Sequence, residues 1–130
     1  TISFKLKKNE HTDLNIFCDY EQISRVFFNL LKNSIESIEE KSVKTGNFDK
    51  IISIEIKKRN DYIVVNIIDN GIGFTNKNAK DLIKPYFTTK QKGSGLGLSI
   101  VNKIINDHNG SLSFLDKKNG AKIQIVLPIK

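Results

Sequence analysis

The sequence predicts an α+β two-layer sandwich, in which a mixed sheet of about five strands carries helices on one face. Three observations lead there. Residues Tyr20 to Glu40 repeat apolar side chains at three and four residue spacing. The runs Ile52 to Lys57 and Tyr62 to Ile68 have strand patterns, and a glycine-bounded helical run precedes a closing hairpin. With 130 residues, the chain is one domain, large enough to bury a core without staples.

The elements follow in chain order. TISFKLKK alternates Ile2, Phe4 and Leu6 against polar partners, and NIFCD follows a polar turn, so two short N-terminal strands are expected. Asp19 ends the second and, with Gln22 three residues later, makes a capping box for a long helix, Tyr20 to Glu40. That helix aligns Ile23, Val26, Phe27, Leu30, Leu31, Ile35 and Ile38 on one side. Asn29, Asn33, Glu36 and Glu40 form a polar stripe on another. KSVKTGNFDK has no periodicity and reads as a loop. Ile52, Ile54 and Ile56 then mark a half-buried strand, Arg59-Asn60-Asp61 a turn, and YIVVNII, apolar on both faces, a strand central in its sheet.

That strand runs straight into DNGIGF, residues 69–74. The stretch TNKNAKDLIKPYFTTKQ is polar, weakly patterned and interrupted by Pro85; it is long for an unstructured connection and reads as a lid or binding loop. KGSGLGLSI opens a second helix carrying Leu98, Ile100, Val101, Ile104 and Ile105, with a glycine stop at Asn109-Gly110. SLSFLD, a KKNG turn and AKIQIVLPI complete a hairpin.

Composition narrows the function classes. No stretch approaches the roughly 18 apolar residues of a membrane span. The opening TISFKLKKNE is neither a signal peptide nor an initiator-methionine start, so the chain is expected to be part of a longer protein. A single cysteine, Cys18, excludes an internal disulfide; it is expected at a buried strand position, in a reducing compartment. The net charge of +7 is spread over scattered lysines without interleaved aromatics, so nucleic-acid binding is not expected, whereas a small polyanionic ligand suits the charge.

Taken singly, the polar motifs have plain readings: glycine clusters make turns, Asp69 caps an Asp-Asn-Gly turn, and Asn29 and Asn33 are solvated surface. Their order is more specific. A helix with paired asparagines precedes a strand, Asp-x-Gly-x-Gly, a long loop, Gly-x-Gly-x-Gly and a helix. A dinucleotide fold needs its glycines directly after a strand, and IKPYFTTKQK cannot be a central strand; a P-loop needs a Gly-Lys-Ser/Thr that the chain lacks. With an N box in NLLKNSIES, a glycine box in DNGIGF, an F box in PYFTTK and a second glycine box in GSGLGLS, the chain resembles the catalytic ATP-binding domain of sensor histidine kinases. That domain belongs to the wider group that includes gyrase, the Hsp90 chaperones and mismatch-repair ATPases. The resemblance spans essentially the whole chain, and PYFTTK followed by KGSGLGLSIV is most similar to kinases of the nitrogen-regulation type.

The resemblance implies the Bergerat fold, with about three helices on one face and an ATP lid, and Mg2+ and ATP as cofactors. By it, Asp69 accepts from the adenine amino group; a buried carboxylate at a strand end discriminates against bases lacking that donor. Gly71, Ile72 and Gly73 form one edge of the pocket. Asn33 is the magnesium ligand, with Asn29 nearby, since an amide oxygen is a hard neutral donor. Thr88, Thr89 and Lys90, with Gly93, Ser94, Gly95, Leu96, Gly97 and Leu98, surround the phosphates with hydroxyls, charge and amides at a helix start. Asn33, Asn29 and Lys90 are the expected catalytic set, and Lys92 adds charge. Tyr86 and Phe87 anchor the lid by apolar packing.

Hydrolytic members of the group place a water-activating glutamate four residues before the magnesium asparagine. Here Asn29 stands there, and an amide is no general base, so transfer to a presented acceptor is expected over hydrolysis. The alternatives are an anti-sigma-type serine kinase and a nucleotide-binding module without transfer. Glu36 departs from a common phosphate-touching lysine, and Ala121 from a common threonine. His11 and His108 lack the phosphoacceptor context. The expected partners are the kinase's own dimerisation and phosphoacceptor helices, in a homodimer, and a response regulator, with no membrane contact by this domain. The expected setting is the cytoplasmic part of a bacterial protein that can be membrane-anchored elsewhere.

Overall fold

The computed structural model describes residues 1–8, 15–74, 83, 97–115 and 117–129. Five strands form one sheet: β1 (Ile2–Lys8), β2 (Lys50–Arg59), β3 (Tyr62–Asp69), β4 (Ser111–Leu115) and β5 (Ala121–Pro128). Their order across the sheet is β1-β2-β3-β5-β4. β1 and β2 are parallel and the other pairs antiparallel, so the sheet is mixed as expected. A parallel pair needs a long crossover, and the helix between β1 and β2 supplies it. Two helices lie among the described residues, α1 (Tyr20–Thr45) and α2 (Gly97–Asp107), where about three were expected.

β3 is central, and Ile63 to Ile67 are buried without a break, as its continuous apolar run predicts. Val26 and Leu30 of α1, Val101 and Ile105 of α2, Val65 and Ile67 of β3, and Ile123 and Ile125 of β5 form one core between helices and sheet. Alternation along β5 is complete: Ala121, Ile123, Ile125 and Leu127 are buried and their neighbours are not.

The first expected strand forms as β1, an edge strand whose Phe4 and Leu6 remain exposed, because α1 packs mainly over α2, β3 and β2. Three expectations are corrected. NIFCD is not a strand: residues 15–19 form no ladder, Ile16 and Cys18 pack partly against the core, and Phe17 is 91% exposed. Cys18 is therefore half-buried in an irregular entry segment. Second, α1 runs five residues beyond Glu40 into the segment read as a loop. Thr45 donates to the Lys41 carbonyl, Lys41 donates to the Asn70 carbonyl at 3.0 Å and lies over the Phe48 ring, and Gly46 ends the helix with φ +85°. These tertiary contacts supply what the residues' own periodicity lacks. Last, the left-handed residue after α2 is Asn109 (φ 61°), with Gly110 donating back to the Ile105 carbonyl.

Asp19 does cap α1, accepting from the Gln22 amide at 3.1 Å. Its own amide, which a full capping box would satisfy from Gln22, donates instead to His108 Nε2 at 3.1 Å. The other ring nitrogen, Nδ1, therefore carries the proton and donates to the Ile104 carbonyl at 2.8 Å. His108 thus ties the start of α1 to the end of α2. His108→Ala is expected to cost about 1 kcal/mol of stability, read as a lower denaturant midpoint, because both bonds are lost at a half-buried place.

Candidate functional site

The site is built where β3 ends against the inner face of α1. Asp69, the last residue of β3, is 4% exposed. Its Oδ1 accepts from the Gly71 amide at 2.9 Å, with the Ser34 side chain and the Ala121 backbone as neighbouring donors that favour the charged form. Burial raises its pKa above the ordinary carboxylate range, while those three donors and the nearby Lys117 ammonium pull it back. The group is thus a buried, preoriented acceptor at a chain reversal.

The turn that follows is fastened to α1. Ile72 donates to both the Ser37 hydroxyl (3.0 Å) and the Ser37 carbonyl (3.2 Å), and Gly73 donates to the same hydroxyl at 3.4 Å. Gly71 is required by this contact: a Cβ on it would sit 2.3 Å from Ser37 Oγ and 2.7 Å from the Ile38 nitrogen. Asn70 holds the opposite side. Its Oδ1 accepts from the Ile51 amide at 2.9 Å and its Nδ2 donates to the Asp49 carbonyl, so the turn also closes onto the start of β2. Beyond it, Phe74 meets Phe114 edge to face at 5.3 Å.

Asp69, Gly71, Ile72 and Gly73 are therefore together, one contact away from the helix that carries Asn33 and Asn29. Both asparagines are half-buried on α1, one turn apart, and Asn33 directly precedes Ser34 in the chain. Gly97 and Leu98 form the first turn of α2, which packs along α1; Leu98 lies against the core. A Cβ on Gly97 would meet nothing within 4 Å among the described residues, so packing against them does not require glycine there. Thr88, Thr89, Lys90, Lys92, Gly93, Ser94, Gly95 and Leu96 lie outside the described residues, as do Tyr86, Phe87 and His11. Among the described residues no group of three His, Cys, Asp or Glu side chains could hold a metal.

Ser34, Ser37 and Asn70 were missed by sequence reasoning. A signal existed for the serines: they stand in the inner stripe of α1 beside Leu30 and Ile38, where an apolar residue is the usual occupant, and both are buried. Ala121, which departs from the common threonine, pairs with Asp69 in the β3–β5 register.

With this geometry in place, comparison with known proteins is decisive at the level of family. Residues 18–130 match the family of histidine kinase-, DNA gyrase B- and HSP90-like ATPases, and the chain belongs to it. Sporulation kinase E of Bacillus subtilis is 36% identical over 117 residues, covering 88% of this chain and 15% of that protein. Nitrogen regulation protein NtrY of Azorhizobium caulinodans is 35% identical over 112 residues, covering 86% of this chain and 14% of that protein. The nucleotide-free catalytic domain of histidine kinase ThkA superposes with a TM-score of 0.82 at 29% identity, over 98% of this chain and 79% of that one. The expected fold class and the likeness to sensor histidine kinases, NtrY-type ones included, are borne out. The chain spans about a seventh of the length of the first and second of these relatives. No helix among the described residues is long and apolar enough to cross a membrane.

Proposed function

We propose that residues 1–130 are the catalytic ATP-binding domain of a bacterial sensor histidine kinase, binding Mg-ATP and passing its γ-phosphoryl group to a histidine on the kinase's own dimerisation helices. The observation that carries this is Asp69: a buried carboxylate held by the Gly71 amide beside a turn pinned to the asparagine-bearing helix. A buried acceptor of that kind has no structural need for charge, and its remaining lone pair suits an amino group such as that of adenine.

At the other end, α2 offers the amides and positive end of its first turn to phosphate, and the bare backbone of Gly97 leaves the approach open. Asn33, with Asn29 beside it, is the proposed place for Mg2+; a magnesium ion carried by phosphates takes few protein ligands, which suits one amide and, among the described residues, no acidic cluster. When bound, the ion neutralises charge on the phosphates. Asn29 cannot act as a base on water, so the chain's residues position the nucleotide and leave transfer to a docked acceptor. Thr88, Thr89, Lys90 and residues 93–96 complete the phosphate end in this reading. The partners are the upstream dimerisation helices in a homodimer and a response regulator, not nucleic acid, and the setting is the cytoplasmic portion of a longer protein.

Titration of this chain with ATP, with and without Mg2+, tests the binding half. Asp69→Asn is expected to weaken ATP binding by about 1–3 kcal/mol through the lost charged hydrogen bond. Unchanged affinity would remove Asp69 from the pocket. Two pH trends should oppose one another. Because burial raises the folded pKa of Asp69, its contribution to the stability of the ligand-free chain is fully present below the unfolded carboxylate value and is lost as pH rises through the folded one. ATP binding needs the ionised group, and so weakens as pH falls through the same raised value. Labelling in the full-length kinase tests transfer: phosphoserine on a partner with no phosphohistidine would sink the histidine assignment, and binding with no transfer at all would leave a nucleotide sensor.

A further inference from the structure

We propose that Lys41 is a positioning residue for base recognition: its ammonium holds the Asn70–Gly71 peptide with the carbonyl turned toward α1 and the N–H turned onto the Asp69 carboxylate. This rests on the proposal that Asp69 reads adenine.

One peptide unit links the two residues. Lys41 Nζ donates to the Asn70 carbonyl at 3.0 Å, and the N–H of the same peptide, on Gly71, donates to Asp69 Oδ1 at 2.9 Å. The carbonyl and N–H of a trans peptide point to opposite sides, so a donor on the one fixes the aim of the other. A cation on the carbonyl also polarises the unit and strengthens its N–H as a donor, as neighbouring bonds in a hydrogen-bonded chain do. This peptide needs holding. It precedes Gly71, which has no Cβ to oppose a rotation of the plane, and a turned-over plane would set the carbonyl against the carboxylate in place of the N–H.

Lys41 is itself held in place. Its ammonium lies 4.6 Å from the centre of the Phe48 ring, and both residues are half-buried. The Asn70 side chain is fastened on the β2 side, its Oδ1 accepting from the Ile51 amide at 2.9 Å. Ser37, one turn before Lys41 on α1, receives the next amide, that of Ile72, at 3.0 Å. The two peptides flanking Gly71 are therefore both bound to α1, one through its carbonyl by Lys41 and the other through its N–H by Ser37. A lysine that only fastened the end of α1 would stabilise the fold alike for every nucleotide. One that aims the Gly71 amide bears on which base Asp69 accepts.

The test is calorimetric titration of the 130-residue chain and its Lys41→Met and Lys41→Arg variants with ATP and with GTP, in wild-type and Asp69→Asn backgrounds. Methionine keeps the unbranched stem and the helix preference but has no donor. Lys41→Met is expected to bind ATP roughly threefold to tenfold more weakly, with a lower ATP/GTP ratio. Lys41→Arg, which keeps a cationic donor able to lie on an aromatic ring, should restore the ratio. In the Asp69→Asn background Lys41→Met should leave the ratio unchanged. An equal loss for ATP and GTP, a fall in the ratio that persists in full in the Asp69→Asn background, or a Lys41→Arg ratio as low as that of Lys41→Met would overturn the proposal in favour of a lysine that only secures the fold. A parent that binds ATP no better than GTP would instead remove the adenine reading itself, and this proposal with it. Should Lys41→Met not fold, Lys41→Gln, neutral, shorter and a good helix former, decides by the same ratio: a value equal to that of the parent refutes the role, and a fall supports it.

Discussion

Gly120→Ala is expected to lower the stability of the chain by about 3 kcal/mol or more and to take nucleotide binding with it. Gly120 precedes β5 and has φ +111°, a conformation that side chains rarely adopt. Space is the larger problem. A Cβ there would lie 1.9 Å from the Asp69 carbonyl oxygen and 2.8 Å from the Asn70 Cα. Those atoms belong to the end of the central strand, and moving them displaces Asp69, the bonds of Asn70 to β2, and the Ala121 amide that pairs with Asp69 in register. Gly46→Ala is the matched control. It also has positive φ (+85°) but meets nothing within 4 Å, so it carries the conformational cost alone, about 1 kcal/mol. Denaturant midpoints for the two variants separate strain from collision. Equal losses would mean that the hairpin turn yields, and that the site is less rigid than its contacts imply.

Why was so much of this legible beforehand? The strong periodic signals, α1 and the strands β2, β3 and β5, come from residues whose burial is decided by their own alternation. The central placement of β3 follows from its two-sided apolar run. The failures share a different cause. The last turn of α1 exists because Lys41 reaches Asn70 across 29 positions, and residues 15–19 stay irregular because Asp19 is met by His108 across 89; neither partner is visible in a local window. In the candidate site, the motif pattern pointed to Asp69, Gly71, Ile72 and Gly73, which the structure brings together, and to Asn29 and Asn33 on the neighbouring helix, residues whose types are unusual for where they sit. It did not identify Ser34 or Ser37. A serine at a helix's inner face is read as a tolerated small residue until the structure reveals an acceptor or a donor opposite it.

Asn33→Ala carries the largest expected effect on activity. On the proposed function, transfer with Mg-ATP by the full-length protein should fall by roughly 10²–10³, the scale seen when one preorganised electrostatic contact to a reacting phosphate or oxyanion is removed. The fold should survive, because Asn33 is half-buried beside, and not within, the apolar core, and alanine favours the helix. Base recognition should survive too. Asp69 is held by the Gly71 amide and the turn by Ser37, bonds in which the Asn33 side chain takes no part. The two ends of the site therefore separate cleanly in a pair of titrations: Asn33→Ala should keep its preference for ATP over GTP in the absence of Mg2+ but gain little when Mg2+ is added, whereas Asp69→Asn should lose the preference and keep the gain. Normal transfer rates in Asn33→Ala would mean that the metal is held elsewhere. If both variants instead lost both properties together, the site would behave as one cooperative unit, with the stretch 33–37 transmitting damage from either end to the other.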